Sequence, residues 1–493
     1  MKKVPGGFSP VIAVDRKAAK PLHKQIYDAY RAMIVERNLS AGQQIPSTRA
    51  LSAELKISRI PVLTAYAQLL AEGYFESRAG SGTFVCSSLP EQLTSTERRT
   101  TQPRQVHSGS RPVAERALLL PPYKRLPWLS GTGAFGLGHP AFDQFPFHVW
   151  SRLVMRHCRS PHVSALQYGA ALGSETLRDG ICTYLRTARA VRCDPQQVMI
   201  VSGSQQALDI SARVLLDTGS PVWVEEPGYW LTRHVLIAAG ARLMPVPVDG
   251  EGIDVFAGIK LCRNARAAYV APSHQYPLGA TMSASRRLHL LDWAQRSGSW
   301  VIEDDYDSEY RYGSMPIASL QGLDQNSRVI YIGTFSKTLF PSLRIGYVVI
   351  PSDLVDRFAA VRSAMDVGPP SFYQAVLTDF MNEGHFARHI RRMRLLYGQR
   401  RTALVDALRK EFGSTLEVLG AEAGMHLVLT LPKGFRDAEI AHKAALERLW
   451  LWPLSPAYLG ATTRQGFILG FGSTPAADMP HAVRRLRNML AST

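Results

Sequence analysis

At 493 residues the chain is longer than one hydrophobic core supports, and its length predicts about three domains. The 57 Lys and Arg outnumber the 40 Asp and Glu, and the net charge of +17 favours a polyanionic partner. Five cysteines without CxxC spacing argue against a disulfide framework or a zinc site, so we expect no metal and a reduced, cytoplasmic setting. We also expect no membrane span and no signal peptide, because long apolar runs are missing.

The first 86 residues predict a helix-turn-helix followed by a hairpin. Apolar residues recur at helical spacing over residues 21–38, and two shorter helices are predicted to begin at the N-cap candidates Ser47 and Ser58. The segment YFESRAGSGTFV, residues 74–85, then predicts two short strands whose Gly-rich tip reaches a phosphate backbone. This pattern is typical of a DNA-binding module, although it also fits a small helical interaction domain with a solvated basic face.

Residues 20–86 resemble the winged-helix domain of GntR-type regulators, through the pattern PS-x-R-x-L…E-L…SR…V…AY…L…EGY…S-R-x-GSGTFV between Pro46 and Val85. The resemblance implies double-stranded DNA as a partner, with contacts from Ser47, Thr48, Arg49, Ser58, Arg59, Gly80, Ser81 and Gly82. This chain has Ile60-Pro61 where the family often has Asn-Thr. Proline is tolerated in a first helical turn, so we expect the fold to persist and leave the base readout open.

A basic segment separates this module from the rest of the chain. Residues 87–125 carry seven Lys and Arg against three Asp and Glu, and Ser, Thr, Gln and Pro are frequent without helical or strand periodicity. We interpret 87–125 as a flexible basic linker. Beyond it, short apolar strands alternate with longer helical patterns, which predicts an α/β unit with a mainly parallel sheet buried on both faces. The last hundred or so residues predict helices beside a small sheet.

A lysine stands three residues after the apolar strand RVIYIGT, in GTFSKTLFPSLRIGY. On its own, Lys337 is most simply a surface residue. Asp304 and Tyr306, however, follow another apolar strand, and parallel strands present their carboxyl ends at one sheet edge, where ligands bind. Pyridoxal 5'-phosphate (PLP) requires a lysine that forms a Schiff base and a carboxylate that keeps the ring nitrogen protonated. A lysine and an acid at this edge also fit a plain salt bridge.

Two further stretches suit the same cofactor. Gly203, Ser204 and Gln205 open a helix after a strand, where backbone N–H groups hold phosphate, and Arg344 offers a positive charge. Tyr229, after a Pro-Gly turn, is placed to stack on a planar ring, although most tyrosines at such positions are ordinary packing.

Residues from about 128 to 493 resemble fold-type I, class I/II aminotransferases, most specifically in SHQYPLG, EDDYDSEY and the Lys337 motif. The joined arrangement resembles the MocR/GabR-type subfamily of GntR-family regulators. It implies a multidomain protein with a winged helix-turn-helix (1–86), the linker (87–125) and an α/β PLP-dependent transferase fold (126–493). A smaller α+β C-terminal subdomain is expected at roughly 375–493.

The resemblance assigns roles to individual residues. Lys337 corresponds to the Schiff-base lysine, Asp304 to the partner of the pyridine nitrogen, and Tyr306 to a donor to the ring 3' oxygen. The cofactor's remaining contacts fall on Tyr229, which stacks, and on the phosphate cup of Gly203, Ser204, Gln205, Thr334 and Arg344. Tyr168 matches the tyrosine that reaches the cofactor of the neighbouring subunit, which implies a homodimer, domain-swapped and head-to-tail.

Two positions bear on catalysis. Arg464 lies near where these enzymes keep the arginine that binds a substrate carboxylate, and a surface arginine is an equal alternative. The aminotransferase motif NPTG appears here as Tyr276-Pro277-Leu278-Gly279. Loss of the Asn removes a hydrogen bond to the 3' oxygen, which argues against efficient transamination and leaves Schiff-base formation possible.

The combined motifs favour a DNA-binding transcriptional regulator whose PLP-bearing domain senses an amino compound or PLP itself. One alternative is a working aminotransferase with an accessory DNA-binding module. Another is a repressor in which the aminotransferase-like part is only a dimerisation scaffold without cofactor. The intact set of Lys337, Asp304 and Tyr306 argues against the scaffold, and the winged helix together with Tyr276 argues against the enzyme.

Overall fold

The computed structural model describes residues 12–78, 80–87, 112–122, 133–159, 167–312 and 317–492. The chain divides into two units, Met1–Pro112 and Val113–Thr493. Most of the predicted linker lies outside the described residues. Its described part contains a short helix, α4 (Glu115–Leu118), which belongs to the second unit.

The first unit has three helices and a three-stranded antiparallel sheet in the order β1-β3-β2. The elements are α1 (Leu22–Val35), β1 (Gln44–Ile45), α2 (Thr48–Glu54), α3 (Arg59–Ala71), β2 (Phe75–Arg78) and β3 (Gly82–Val85). The Oγ of Ser47 accepts the N–H of Ala50, so the predicted N-cap of α2 is confirmed. Ser58 is at the N-cap position of α3 without a side-chain cap bond.

The core of this unit is built around Tyr30, Tyr66 and Phe75, whose rings meet edge to face at 5.2–5.7 Å between centroids. The Tyr66 hydroxyl also donates to the backbone oxygen of Pro46 at 2.9 Å, which joins α3 to the segment before α2. These contacts fix α2 against α3 with both helix N-termini at the surface.

The second unit contains an eight-stranded sheet in the order β4-β11-β10-β9-β8-β5-β6-β7. The strands are β4 (Val198–Val201), β5 (Pro221–Glu226), β6 (Arg242–Asp249), β7 (Gly252–Ile253), β8 (Ala267–Val270), β9 (Trp300–Asp305), β10 (Val329–Thr334) and β11 (Gly346–Val349). The five strands that are adjacent in the sheet as β10-β9-β8-β5-β6 are parallel to one another, as predicted. Strand β11 is antiparallel to both of its neighbours, β4 and β10.

Helices cover both faces of this sheet. They are α5 (Phe147–Arg159), α6 (Glu175–Arg189), α7 (Ser204–Leu215), α8 (Trp230–Ala238), α9 (Val255–Cys262), α10 (Ala284–Ser297), α11 (Leu320–Leu323), α12 (Val355–Asp366) and α13 (Phe372–Asn382). Consecutive residues of β10 belong to different hydrophobic clusters. Tyr331 packs with α5, α6 and α13, whereas Ile330 and Ile332 pack with α7. The predicted burial on both faces is therefore confirmed.

The C-terminal part has helices beside a four-stranded antiparallel sheet in the order β12-β13-β15-β14, which confirms the sequence prediction. Its elements are α14 (His385–Phe412), β12 (Val418–Leu419), β13 (His426–Leu431), α15 (Asp437–Leu446), β14 (Trp452–Pro453), β15 (Gln465–Gly470) and α16 (Met479–Ala491). Short 3-10 segments are Phe142–Gln144, Pro195–Gln197, Pro341–Leu343, Ser352–Leu354, Ser455–Ala457 and Ala476–Asp478. Among the described residues, none of the helices combines the length and the apolar character that crossing a bilayer requires.

Candidate PLP site and DNA-binding surface

Two parallel strands bring the predicted acid and lysine to one cavity. In the pairing of β9 with β10, Asp304 lies opposite Ile332, so both strands end at the same sheet edge. The cavity there has a volume of about 500 Å³, within the range of ligand pockets. Its lining includes these sequence-predicted residues: Ser204, Gln205, Tyr229, Asp304, Tyr306, Thr334, Lys337 and Arg344.

The amine of Lys337 lies inside this cavity. Its Nζ donates to the backbone oxygen of Gly138 at 3.1 Å. Burial lowers the pKa of Lys337, and the carboxylates of Asp307 and Asp304 oppose that shift. A lowered pKa increases the fraction of neutral amine, which is the form that attacks a carbonyl. A Cβ at Gly138 would stand 2.2 Å from Nζ, so the glycine leaves the lysine its space.

Asp304 lines the same cavity, and one of its carboxylate oxygens is unsatisfied. The hydroxyl of Tyr269 donates to its Oδ2, whereas Oδ1 is buried and has no hydrogen-bond partner among the described residues. Burial raises the pKa of Asp304 to about 6, against the opposing effect of the Tyr269 hydrogen bond. A buried, unpaired carboxylate oxygen is costly, and a protonated ring nitrogen satisfies it. The residues present therefore fit a pyridinium cofactor.

Tyr269 was missed by sequence reasoning, and replacing it is a sharp test of the Asp304 site. In Tyr269→Phe the loss of the donated hydrogen bond raises the pKa of Asp304 further, so we expect PLP to bind about 10-fold more weakly near neutral pH. Titration of the variant with PLP at several pH values measures this.

Tyr331→Phe is the matched control for this experiment. Tyr331 is buried on the adjacent strand β10, and its hydroxyl donates to Asp305 at 2.5 Å instead of to Asp304. Equal losses of PLP affinity in Tyr269→Phe and Tyr331→Phe would contradict the specific role of Tyr269.

One end of the cavity is suited to a phosphate. Gly203, with φ at +94°, is the N-cap of α7 and provides no side-chain cap, so the first N–H groups of the helix remain available. Arg344 lies beside them, and its guanidinium donates to the backbone oxygen of Ser202. A Cβ at Gly203 would stand 2.9 Å from that guanidinium. Gly203 is not itself among the lining residues, but it allows Arg344 to approach the helix terminus.

Thr334 and Ser336 complete this end of the cavity. The Thr334 hydroxyl donates to the Ser336 hydroxyl at 3.0 Å, and the Ser336 N–H donates back to Thr334 at 3.2 Å. Both residues line the cavity. Sequence reasoning did not single out Ser336, although it directly precedes Lys337 in the motif.

A buried polar chain holds Tyr306. Its hydroxyl donates to the backbone oxygen of His274 at 2.8 Å, and the Nδ1 of His274 lies 3.1 Å from the Asp307 carboxylate. His426, from β13, is 3.1 Å from the backbone oxygen of Pro277, and burial lowers its pKa to about 3. The possible metal ligands of His274, Asp307 and His426 lie within 4.8 Å of one another. The Nδ1 of His274 and the Nε2 of His426 take part in these hydrogen bonds, whereas the Nε2 of His274 is buried without a hydrogen-bond partner among the described residues.

Aromatic rings line the remaining wall. Tyr229, the N-cap of α8, meets Tyr276 edge to face at 5.2 Å. Trp230 is nearly parallel to Trp452 of β14, with centroids 6.3 Å apart. Tyr276 lines the cavity at the position where the aminotransferase motif has Asn, so a phenol ring replaces an amide there.

Besides Gly203, two residues that the sequence predicted for this site lie outside the cavity. Arg464 is exposed, just before β15, and the structure does not bring it to the lining. Tyr168 is 92% exposed in the segment before α6 and does not line the cavity of its own chain.

The first unit places its candidate DNA-binding residues at adjacent helix termini. Arg59 donates from Nε to the Thr48 hydroxyl at 3.1 Å, which joins the start of α3 to the start of α2. Other candidates are exposed around them or on the hairpin tip: Ser47, Arg49, Ser58, Gly80, Ser81 and Gly82. Gln44 fixes that tip by donating to the backbone oxygen of Ser81 at 2.9 Å. Ile60, 73% exposed on α3, is an apolar neighbour that the sequence marked only as a departure from the family.

Comparison with known proteins agrees with both units. Residues 22–85 match the family of bacterial regulatory proteins of the gntR family, and residues 135–486 match aminotransferase class I and II. The chain is 39% identical over 97% of its length to a probable rhizopine catabolism regulatory protein, MocR, from Rhizobium meliloti, covering 95% of that protein. It is 29% identical to a pyridoxine biosynthesis transcriptional regulator, PdxR, from Corynebacterium glutamicum, with 94% of each chain covered.

The chain belongs to the MocR subfamily of GntR-type transcriptional regulators.

A solved structure supports the cofactor of this MocR-type regulator. LysN, an α-aminoadipate aminotransferase from Thermus thermophilus complexed with N-(5'-phosphopyridoxyl)-L-leucine, is 29% identical with a TM-score of 0.69. The match covers 74% of this chain and 93% of that one. The fold and these relatives imply PLP as the cofactor, and the gntR-family unit implies DNA binding. When bound, PLP supplies an aldehyde that reacts with amines and a ring that withdraws electrons.

Proposed function

We propose that this regulator responds to an amine that competes with Lys337 for PLP. The observation that carries the proposal is the juxtaposition of an amine of lowered pKa with the unpartnered Asp304 oxygen, in a chain that also has a DNA-binding unit. When PLP is bound, the Nζ of Lys337 would be bonded to the aldehyde carbon of PLP. An incoming amine would form its own bond to that carbon, and the bond to Nζ would break, so that Lys337 leaves as a free amine. The released Nζ then makes different contacts, which favours a conformation with a different affinity for DNA.

The other cavity residues hold the cofactor in place. With PLP bound, Asp304 would accept a hydrogen bond from the ring nitrogen and Tyr229 would stack on the ring. The Tyr306 hydroxyl would turn from the backbone oxygen of His274 to donate to the 3' oxygen. The phosphate is bound at the N-terminus of α7 by Gly203, Ser204, Gln205, Thr334 and Arg344, with Ser336 added from its position in the lining. Because the hydrogen-bonded chain through His274 and Asp307 orients Tyr306, those two residues act as positioning residues.

We further propose that the protein acts as a homodimer. Tyr168 supports this, because a large aromatic side chain that is 92% exposed in one chain is suited to contact a second copy. Each Tyr168 then reaches the cofactor of the partner subunit. As to the effector, one relative is named for rhizopine catabolism and another for pyridoxine biosynthesis, so an amino compound and PLP itself are both candidates.

A gel-shift assay with DNA from upstream of the regulator's own gene tests this function. PLP-loaded full-length protein is expected to retard the DNA, and an effector amine is expected to change the retardation and the visible absorbance of PLP at the same concentrations. If neither an amine nor a change in PLP concentration alters the retardation of the DNA, the proposal that the protein senses an amine is overturned. Catalytic accumulation of a keto acid without any DNA retardation would favour the aminotransferase alternative.

The DNA-binding surface leads to a separate prediction. Arg59→Ala is expected to weaken DNA binding about 10- to 100-fold, because a side-chain contact to a base edge is worth about 1–3 kcal/mol. The change leaves the PLP absorbance as it is. Lys17→Ala removes an exposed charge before α1 in the same unit and serves as the control. Equal affinities for Arg59→Ala and the wild type would contradict this role, and the salt dependence separates a phosphate contact from a base contact.

A further inference from the structure

The cavity extends beyond the groups that the proposed function assigns to the cofactor. This remaining part of the lining is formed by apolar and aromatic side chains: Leu137, Trp230, Leu231, Tyr276, Met425 and Trp452. Trp230 begins α8, beside the large sheet, whereas Trp452 lies on β14 of the small sheet. Their rings are inclined by only 20° to each other. A ligand that contacts both rings therefore contacts both parts of the second unit.

The positive charges at this cavity are already committed. Among the described residues of its lining, the cationic side chains are Lys337 and Arg344, which the proposed function assigns to the amine bond and to the phosphate. His426 also lines the cavity, but its pKa of about 3 makes it neutral. Arg464, which the sequence offered for a substrate carboxylate, is exposed outside the lining.

A nearby buried arginine does not change this charge balance. Arg233, one turn into α8, forms an ion pair with Glu226 at 3.2 Å and donates to the backbone oxygen of Ala457. It is not among the residues that line the cavity. Its Nη2 therefore joins α8 to the C-terminal part, whereas its Nε is buried without a hydrogen-bond partner among the described residues.

The acidic side chains of the lining bring no positive charge that could compensate a second anion. Glu225, Asp304 and Asp307 all line the cavity. Burial raises the pKa of Glu225 to about 8, so Glu225 is largely neutral near neutral pH, while Asp307 faces His274. A carboxylate or sulfonate that enters alongside the phosphate loses its hydration, and the one cation that the exchange releases, the Nζ of Lys337, already interacts with the carboxylates of Asp307 and Asp304, so the cost is large.

We infer that the effector is a primary amine whose body carries no carboxylate, sulfonate or phosphate and presents an apolar or ring-shaped surface to Trp230 and Trp452. This inference rests on the proposed exchange of an amine with Lys337. Burial of such a body against these aromatic rings supplies the binding energy, since each ring provides a large flat contact area. The amine end then lies toward Lys337, and the body lies toward the aromatic wall.

Matched pairs of amines test the inference on the PLP-loaded, full-length regulator. Phenethylamine is compared with phenylalanine, and propylamine with γ-aminobutyrate, since each pair differs only by a carboxylate. The readouts are the shift of the visible PLP absorbance and the change in DNA retardation. We expect each neutral-bodied amine to act at a concentration about 10-fold or more below that of its acidic counterpart, which corresponds to about 1.4 kcal/mol.

The outcomes separate this inference from the proposed function. If the acidic partners act at equal or lower concentrations, amine exchange stands and the charge argument is wrong. If no amine changes the PLP absorbance although PLP is bound, the proposed exchange itself fails, and the inference fails with it.

A charge added to the wall provides a second test. Leu231 lines the cavity, is partly buried and lies outside the hydrophobic clusters among the described residues, so an arginine there disturbs little packing. Leu231→Arg is expected to lower the concentration at which phenylalanine acts by about 10-fold, whereas the neutral control Leu231→Gln is not. If Leu231→Arg still binds PLP but phenylalanine acts on it at the same concentration as on the wild type, the inference is contradicted.

Loss of the aromatic wall completes the design. Trp230→Ala removes one ring and is expected to weaken phenethylamine about 10-fold or more, with a smaller effect on propylamine. Equal effects on both amines would contradict the assigned contact. If either wall variant no longer binds PLP, the matched pairs on the wild-type protein decide.

Discussion

Replacing Lys337 by alanine is expected to abolish both the visible absorbance of lysine-bound PLP and the response of DNA binding to amines. The reason is chemical: the Nζ of Lys337 is the cavity amine, and its lowered pKa makes it reactive toward the PLP aldehyde. Absorbance spectra of the purified variant after addition of PLP measure the first effect, and gel shifts with and without amine measure the second.

The control for this experiment is Lys260→Ala, which removes an exposed lysine from α9. It should keep the spectrum and the amine response. DNA binding by itself is expected to persist in Lys337→Ala, because the DNA-binding residues lie in the other unit. A lysine-bound PLP spectrum that survives in Lys337→Ala would show that another residue binds the cofactor and would refute the assignment.

Asp304→Asn is the second substitution with a large expected effect. It is expected to lower the affinity for PLP and to raise the stability of the cofactor-free protein. PLP affinity should fall by about 100-fold or more, because a neutral amide replaces the carboxylate that pairs with the protonated ring nitrogen. The cofactor-free protein should become more stable at neutral pH. Titration with PLP measures the first effect, and thermal unfolding without PLP measures the second.

The sign of the stability effect follows from the pKa of Asp304. Burial raises it from the usual 3.8 to about 6, so the folded state binds the proton more tightly than the unfolded state. The buried charge therefore costs stability that grows as the pH rises from about 4 and reaches its full value above about 6, whereas the cost is absent below about 4. Removing the charge should raise the melting temperature of the cofactor-free protein near neutral pH and change it little in acid.

PLP binding by the wild type should weaken as the pH falls below about 6, and this dependence should be smaller in Asp304→Asn. Asp356→Asn, at an exposed position in the first turn of α12, controls for the general effect of removing a carboxylate. A melting temperature that falls in Asp304→Asn, together with unchanged PLP affinity, would show that Asp304 serves the fold and not the cofactor.

Local sequence was sufficient for the elements and for the chemistry that each motif contains. The winged helix-turn-helix could be predicted because helix caps, apolar spacing and a Gly-rich turn are local signals. The shared edge of Asp304 and Lys337 could be predicted because parallel strands that alternate with helices end on the same side. The sequence could also suggest that Gly203 opens a phosphate-binding helix, since a glycine after a strand permits that turn.

The tertiary structure decided which distant residues complete the site. Tyr269 reaches Asp304 because β8 lies beside β9, and His426 and Trp452 reach the cavity because the small sheet packs over it. No local pattern encodes these neighbours, since they depend on strand order. The same holds for β11, which runs antiparallel between β4 and β10.

The charge of the cavity shows the difference most clearly. The composition shows a strongly basic chain, and the sequence has an arginine, Arg464, near the position of the aminotransferase arginine that binds a substrate carboxylate. In the structure Arg464 lies at the surface, and the cavity keeps only Lys337 and Arg344 as cations among the described residues of its lining. Composition and motifs thus determine that the chain binds DNA and PLP. Which amine suits the cavity depends on which side chains the fold directs into it, because burial and neighbours set the free energy of each charge.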